Sequence, residues 1–472
     1  METYDIFLNN KFVSTNQKLS VKNKYLNETF AEVCVAEQEH VELAIQSGLE
    51  AEKKCKNLSS YDKHKALMII AEYIEKNKDK FTNIIAQEAG KPIKFSRTEV
   101  ERAIQTFIIA AEESKKNISE YIILDQTLSG INKEGKVKGF PVGLVAGITP
   151  FNFPLNLAVH KIAPAIAVGC PIILKPSSQT PVSVLELAKS ISKSGLPEGA
   201  VSLMPMNRDD ANKLITDDRI KKISFTGSGE IGWNMKAKCG RKRITLELGG
   251  NAAAVVCKDA DMDNALNKCV AGAFAYSGQV CIHTQRIYVH KEIFDKFLQK
   301  FTEKTATLLY GDPLSAQTDI SVLIDENEAI RVEQWVKDAV DNGAKLVSGG
   351  KRKGAYVEPT ILTNTNPEMK VWKDEIFGPV VIIESFETIE EAVEKTNNSV
   401  YGLQAGIFTD SLSDINYAFN NIEVGGLMVN ESPTFRIDNM PYGGIKESGF
   451  GREGVKYAMA EMTELKLMVA PA

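Results

Sequence analysis

The chain has 472 residues, 43% of them hydrophobic and 25% charged, with a formal net charge of −5. Such proportions describe an ordinary globular protein with core enough for two or three domains. The mildly acidic, interspersed charge argues against nucleic-acid or membrane-surface partners. Seven cysteines without CxxC spacing and five isolated histidines point away from a disulfide framework and a metal centre, and toward a reduced, cytoplasmic setting.

The N-terminus, METYDIFLNNKF, has no apolar core and does not read as a signal peptide. Residues 6–13, IFLNNKFV, predict a hairpin turning at Asn9-Asn10. Helical periodicity follows over residues 41–54, 60–76 and 80–90. Residues 100–114 keep the same period, with Ile104, Phe107, Ile108 and Ala111 on one face. These segments read as a helical layer covering a sheet. Residues 117–140 are polar and turn-rich, with strand-like runs at 120–124 and 137–140. Such a segment is a mobile loop or an extension that pairs with another subunit.

From residue 142 the rhythm becomes strand, turn, helix. Residues 142–148 are an unbroken apolar run, as a parallel strand buried on both faces requires, and residues 171–174, 201–204 and 222–225 repeat the theme. This predicts a doubly wound α/β domain, in which nucleotides bind at the carboxyl ends of the strands. The apolar stretch 142–174 is broken by Asn152, Asn156, His160, Lys161 and several prolines, so it does not predict a transmembrane helix. A second set of strands, at 253–257, 286–289, 380–383, 402–408 and 426–429, predicts a second α/β domain carrying Cys281.

Three separated segments carry chemistry. Residues 149–154, TPFNFP, hold Asn152 between two aromatics. Residues 244–250, ITLELGG, hold Glu247 among apolar neighbours with two glycines behind it. Residues 275–286, AYSGQVCIHTQR, hold Cys281. A lone cysteine is usually inert core, and Cys257 and Cys269, in apolar runs, read that way. Thiol, carboxylate and side-chain amide are instead the nucleophile, base and oxyanion donor of an acyl-type covalent mechanism. Residues 225–232, FTGSGEIG, place Gly227, Gly229 and Gly232 at the dinucleotide-fingerprint spacing, between a strand and a helix. The acidic residue expected about twenty positions on is Glu247, which the chemistry already claims. The loop is therefore read for its helix N-terminus, which favours phosphate, with Ser228 adding a hydroxyl.

These segments, with residues 375–379 (EIFGP) and 441–451 (PYGGIKESGFG), resemble the aldehyde dehydrogenase superfamily. The matches come in that family's order, from about residue 140 to the C-terminus. The resemblance implies an NAD(P)-binding domain at 1–116 and 139–248 and a catalytic domain at 249–445. It also implies an oligomerisation arm at 117–138 and 460–472, and a homodimer or homotetramer. In the family the matching hairpin bridges subunits and pairs near the C-terminal strand, which here would be 463–469, TELKLMV.

The resemblance further implies NAD or NADP as cofactor. Thr149, Pro150 and Phe151, then Gly227, Ser228 and Gly232, then Leu248 would line it. Lys175, in LKP, resembles the lysine that holds the adenosine ribose. Three residues on, many NAD-preferring members carry a glutamate; here stands Ser178, which donates to a 2′-phosphate where a carboxylate repels it. NADP should therefore be tolerated. The plain alternative makes Ser178 the N-cap of a helix over 181–193. Glu375 and Phe377 resemble the contacts to the nicotinamide ribose and ring, although Phe377 alone would read as core.

The implied reaction is aldehyde oxidation through a Cys281 thiohemiacetal and thioester. Asn152 and the Cys281 N–H receive the oxyanion, and Glu247 activates the hydrolytic water. Lys161 is a partner for Glu247 or a group behind it. Members that pass the acyl group to coenzyme A generally lack this glutamate, and a non-catalytic member would be expected to lack it or the cysteine.

For the substrate, the chain looks most like the lactaldehyde, non-phosphorylating glyceraldehyde-3-phosphate and phosphonoacetaldehyde dehydrogenases, which take short polar aldehydes. Arg102, His160, His283 and Arg436 are the expected substrate contacts. Each has a plain alternative: pairing with Glu99 or Asp438 for the arginines, a structural role for the histidines. Members that hold a phosphate or phosphonate often carry arginine just before the nucleophile; here it is Val280. The order of expectation is lactaldehyde first. Glyceraldehyde 3-phosphate, phosphonoacetaldehyde and succinic semialdehyde stand behind it.

Overall fold

The computed structural model describes residues 2–116 and 119–472; Asn117 and Ile118, at the start of the predicted 117–140 segment, and Met1 lie outside them. Two mostly parallel sheets organise the chain. The first has eight strands, in the order Gly449–Phe450, Arg243–Glu247, Lys222–Thr226, Val145–Ile148, Ile172–Lys175, Val201–Leu203, Ile6–Leu8 and Lys11–Val13. Its five central strands run parallel. The order reverses between Val145–Ile148 and Lys222–Thr226, where the chain turns back to build the other side. Open α/β sheets bind their ligands at such a switch point.

Every residue of Val145–Ile148 is buried, as its unbroken apolar run requires. The strand is shorter than predicted: Gly143, at φ 117°, lies in the turn after the preceding strand, which ends at Pro141, and the parallel ladder starts at Val145. The predicted N-terminal hairpin is present. Asn9 and Asn10 both take positive φ, 51° and 61°, the pairing a two-residue type I′ turn demands.

The helical layer comprises Gln38–Lys56, Ser60–Lys76, Lys78–Ala89 and Ile93–Glu113. Ser59 starts the second by accepting from the Asp62 N–H at 3.1 Å. Ile70, Ile74, Phe81 and Phe107 from this layer join Ile162 and Leu174 in one core cluster. The helix after the Asn152 turn, Pro154–Val168, begins on a buried carboxylate: Glu99 accepts from the Leu155 and Asn156 N–H groups at 3.0 and 3.2 Å. The fully buried Lys91 ammonium pairs with Glu99 and lies over the rings of Phe153 and Tyr276. Stripping one partner from such a pair costs about 3–5 kcal/mol, so the turn carrying Asn152 is held firmly.

The second sheet has seven strands, in the order Lys345–Ser348, Thr360–Thr363, Val380–Phe386, Arg286–His290, Ala253–Val256, Gln404–Phe408 and Gly426–Val429. All neighbours are parallel except the first pair. The predicted strand 402–408 divides at Leu403: Tyr401–Gly402 pairs with Ile445–Lys446, and only Gln404–Phe408 joins the sheet.

The two sheets present opposite ends to one region. The first offers carboxyl ends: Ile148, Lys175, Thr226 and Glu247 are the last residues of their strands. The second offers loops that enter amino ends: Gly249-Gly250 before Ala253, Cys281 before Arg286, and Glu375–Phe377 before Val380. A third, antiparallel sheet joins Ser119–Ile123, Lys133–Pro141 and Thr463–Pro471 in continuous register from Thr463↔Pro141 to Pro471↔Lys133. Tyr121, Ile123, Leu465, Leu467, Met468 and Val469 are exposed on it. Among the described residues, no helix is long and apolar enough to cross a membrane.

Candidate active site

Cys281 follows helix Met262–Phe274 and a tight turn, Ala275–Gly278, in which Tyr276 and Ser277 both take positive φ, 49° and 53°. Side chains in this region cost on the order of 1–3 kcal/mol each and persist only where neighbours over-determine them. Here they do. Tyr276 Oη donates to the Ala89 carbonyl at 2.9 Å, and Ser277 Oγ donates to the Ser321 carbonyl at 2.8 Å. Gly278 is obligatory: its φ is 73°, and an added Cβ would stand 2.1 Å from the Gly378 carbonyl oxygen. The Cys281 loop thus packs backbone to backbone against EIFGP.

The Cys281 Sγ lies 3.0 Å from Tyr442 Oη. Burial pushes the thiol up to about 11; the Tyr442 hydrogen bond and the Arg436 charge oppose that push, while Glu375 and Glu247 add to it. A cavity of about 360 Å³ brings Cys281 together with Asn152 and Glu247. Asn152 Nδ2 donates to the Gln279 carbonyl at 3.0 Å, and its Oδ1 has no partner among the described residues. Glu247 ends its strand opposite Thr226 and lies against Gly443, where a Cβ would come within 2.9 Å of Oε1. Neither Glu247 oxygen has a hydrogen-bond partner among the described residues. Burial, reinforced by the charge of Glu453, raises its carboxyl well above the usual range. Lys161 is not its hydrogen-bond partner: that ammonium donates to Thr226 Oγ1 at 2.7 Å and to Glu453 at 2.8 Å.

Pro150, Phe151, Gly227, Ser228, Leu248, Glu375 and Phe377 line the same cavity. Ser228 is the N-cap of helix Gly229–Lys238 but makes no side-chain cap hydrogen bond among the described residues, which leaves its hydroxyl beside the first turn's N–H groups. Gly227 and Gly232 are crowded: a Cβ would stand 2.5 and 2.4 Å from the side-chain ends of Phe225 and Leu248, which would have to shift. Gly229 has open space, so the middle fingerprint glycine is not sterically required. Glu375 accepts from the Gly250 N–H at 2.9 Å, and burial pushes its carboxyl up to about 7. Phe377 is held at φ 46° and packs edge-on against Phe151, centroids 5.8 Å apart. Buried Thr149 Oγ1 has no partner among the described residues.

A second cavity, about 540 Å³, opens over Ile148 and Phe225 and contains Lys175, Ser178 and Arg208. Burial lowers the Lys175 pKa. Ser178 is not a helix cap: the helix is Val182–Ile191, and its first N–H groups, Val182 and Ser183, are taken by Glu88 at 2.7 and 3.1 Å.

Arg102, His160 and Arg436 do not line either cavity. They meet in a buried cluster that adjoins Cys281 through Tyr442. Arg102 grips Asp438 with Nη2 and Nε at 2.7 and 3.3 Å, while Glu99 goes to Lys91. The Arg436 guanidinium lies 3.5 Å from the Tyr442 ring centroid and reaches His160 Nδ1 at 2.7 Å and Glu453 at 3.4 Å. A guanidinium only donates, so His160 accepts at Nδ1 and donates from Nε2 to Asp438, 2.7 Å away. Burial alone would raise Asp438, but the His160 bond and Arg102 hold its carboxyl well below the usual range. Arg436 Nε is buried with no partner among the described residues. His283 joins neither group. Its ring turns to the Ala273 carbonyl, 2.8 Å from Nε2, and burial pushes its pKa down to about 4.

Tyr442, Glu453 and Arg331 carry no assigned role in the sequence reading. Tyr442 and Glu453 sit in or beside the PYGG segment, which signalled a site without saying which atoms mattered. Arg331 lines the same cavity as Cys281 and donates to the Ile376 carbonyl at 2.8 Å; no local pattern marks it. His40 approaches Glu37 and Glu39, but its Nδ1 accepts from the Glu37 N–H as part of a helix cap.

A dinucleotide-type sheet with a cysteine, a free carboxylate and an amide over its strand ends defines a nicotinamide-dependent oxidoreductase. Comparison makes this specific: residues 12–468 match the model of the aldehyde dehydrogenase family, and the chain belongs to that family. It is 43% identical to the 3-sulfolactaldehyde dehydrogenase of Priestia aryabhattai, over 99% of this chain and 98% of that one. Among solved structures it is similar to aldehyde dehydrogenase 21 of Physcomitrella patens in complex with the reaction product succinate, with TM-score 0.98, 43% identity, and 100% and 98% of the two chains covered. It is also similar to the glyceraldehyde-3-phosphate dehydrogenase GapN of Methanocaldococcus jannaschii complexed with NADP, with TM-score 0.93, 40% identity, and 97% and 100% covered. The protein is an NAD(P)-dependent oxidoreductase that oxidises small aldehydes.

Proposed function

We propose that the protein oxidises a short aldehyde carrying one negative charge, a carboxylate or sulfonate, to its acid. Cys281 is the nucleophile, Asn152 and the Cys281 N–H receive the oxyanion, and Glu247 is the base of hydrolysis. The observation that carries this is the convergence of the three side chains in one cavity with both Glu247 oxygens unbonded. A buried carboxylate without donors is costly, and a raised pKa suits a general base near neutral pH. As the Cys281 sulfur bonds the carbonyl carbon, the carbonyl electron pair moves to oxygen, where Asn152 has a second N–H to offer. Glu247 later takes a proton from the water that attacks the thioester.

Bound NAD(P) supplies the hydride acceptor. The residues present fit it: unpartnered Thr149 Oγ1, the Ser228 hydroxyl at a helix N-terminus, and glycines that let the backbone approach. Thr149, Pro150, Phe151, Gly227, Ser228, Gly232 and Leu248 would hold the phosphates and nicotinamide half. Lys175 and Ser178 would hold the adenosine ribose, and Glu375 and Phe377 the nicotinamide ribose and ring. With no carboxylate at 178, NADP is accepted.

Charge ranks the substrates. In the hydrogen-bonded chain behind Tyr442, the cations Arg102, Arg436 and Lys161 face the carboxylates Asp438 and Glu453, leaving one positive charge. One anionic group balances it; a phosphate dianion overshoots, with Val280 where a further arginine could stand. Arg436 acts on such a group through its charge, from behind Tyr442. This puts a singly charged aldehyde ahead of lactaldehyde, which follows, and His283 outside the substrate contacts. Initial rates with succinic semialdehyde, 3-sulfolactaldehyde, lactaldehyde and glyceraldehyde 3-phosphate, each with NAD and NADP, test the ranking. Highest kcat/KM for the phosphate would overturn it, as would Arg436→Met leaving the ratio of charged to neutral substrate unchanged.

The exposed apolar strand Thr463–Pro471 and its hairpin support an arm that docks on a second copy, giving a homodimer or homotetramer. Seven free cysteines suit a reducing, cytoplasmic setting.

A further inference from the structure

The role of Tyr442 extends the reading of Cys281 as nucleophile and rests on it. Tyr442 is buried, and its hydroxyl is the hydrogen-bond partner of the Cys281 sulfur among the described residues, at 3.0 Å. With a neutral thiol either atom can donate. With a thiolate only the O–H can, and the bond becomes charge-assisted, about twice as strong as a neutral one. The bond therefore favours the ionised sulfur. The phenol keeps its proton meanwhile, because burial and the neighbouring sulfur hold its pKa well above the usual value. The Arg436 guanidinium lies 3.5 Å from the ring centroid and packs against the ring.

We propose that Tyr442 is a further catalytic residue, whose hydroxyl donates to the Cys281 sulfur and stabilises the thiolate until the sulfur bonds carbon. The thiol proton leaves to water, the sulfur lone pair forms the S–C bond, and the carbonyl π pair moves to oxygen. Tyr442 neither gains nor loses a proton. The charged and titratable groups facing the sulfur are Tyr442 and Arg436, which favour the thiolate, and Glu247 and Glu375, which oppose it. Behind Arg436 stand His160, Glu453 and Lys161.

The test is Tyr442→Phe, which keeps the ring under Arg436 and deletes the hydroxyl. The rate of Cys281 alkylation by iodoacetamide is followed against pH, beside the pre-steady-state burst of NADPH. The apparent alkylation pKa is expected to rise by about one unit, and the burst to slow about tenfold at pH 7.5. The KM for aldehyde and the affinity for NADP should stay within twofold. 3-Fluorotyrosine placed at 442, a stronger donor of nearly the same shape, should move the alkylation profile to lower pH. Profiles that superimpose for wild type and either variant would overturn the proposal. If instead Cys281→Ala stays active, the nucleophile assignment fails, and that outcome is distinct.

Discussion

Asn152 donates its side-chain amide to the backbone carbonyl of Gln279, 3.0 Å away and two residues before Cys281. This bond ties the turn after the first sheet's central strand to the loop entering the second sheet. An amide nitrogen carries two hydrogens. One fixes the side chain, and the other is left for a developing oxyanion at the neighbouring sulfur. Because Gln279 contributes a backbone acceptor, the amide orientation is not ambiguous.

Cys281→Ala should abolish aldehyde oxidation and leave folding and coenzyme binding intact. The other six cysteines are buried, and burial pushes Cys55, Cys257 and Cys269 upward in pKa, so none replaces it. Steady-state turnover above about one part in a thousand of wild type would contradict a covalent role. Thermal melts and coenzyme titration check that the variant is otherwise sound.

Glu247 and Asn152 should separate in rapid kinetics. Glu247→Ala is expected to keep a stoichiometric burst of reduced coenzyme and then stall, since only hydrolysis needs the base. Asn152→Ala should slow the burst itself, by about a hundredfold, as losing one oxyanion donor does elsewhere. Stopped-flow absorbance at 340 nm distinguishes them; a glutamate variant with no burst would move Glu247 to an earlier step.

The raised pKa of Glu247 predicts a stability effect. The folded state holds this proton to higher pH than the unfolded chain, so folding loses stability as pH rises through and above the unfolded value of about 4.3. Glu247→Gln removes that loss. Melting of the glutamine variant should exceed wild type at pH 8, by about 2 °C, and match it near pH 4. Equal melting at both pH values would mean that the carboxylate has a donor.

Ser178→Glu should turn coenzyme preference toward NAD. The new carboxylate would enter the cavity that contains Lys175 and Arg208, where a 2′-phosphate carries like charge. The expected result is a KM for NADP raised at least tenfold with that for NAD changed little. Unaltered preference would put Ser178 away from the 2′ position.

Much of this was legible in the linear order of residues. Apolar runs such as Val145–Ile148 predict buried parallel strands because a side chain facing either way must be apolar. Asn9-Asn10 predicts its turn because both residues tolerate positive φ. Glu247 and Cys281 stood out as reactive types in short motifs. The relations that set reactivity were not legible. Tyr442 touches Cys281 across 161 positions, Arg102 grips Asp438 across 336, and Lys161 chooses Glu453 over Glu247. His283, two residues from the thiol, faces Ala273 instead of a substrate. Local propensity and alternation are properties of neighbours in the chain. Which charge faces which, and whether a side chain points into a cavity or away from it, depends on how strand ends from two sheets pack together, and only the tertiary structure decides that.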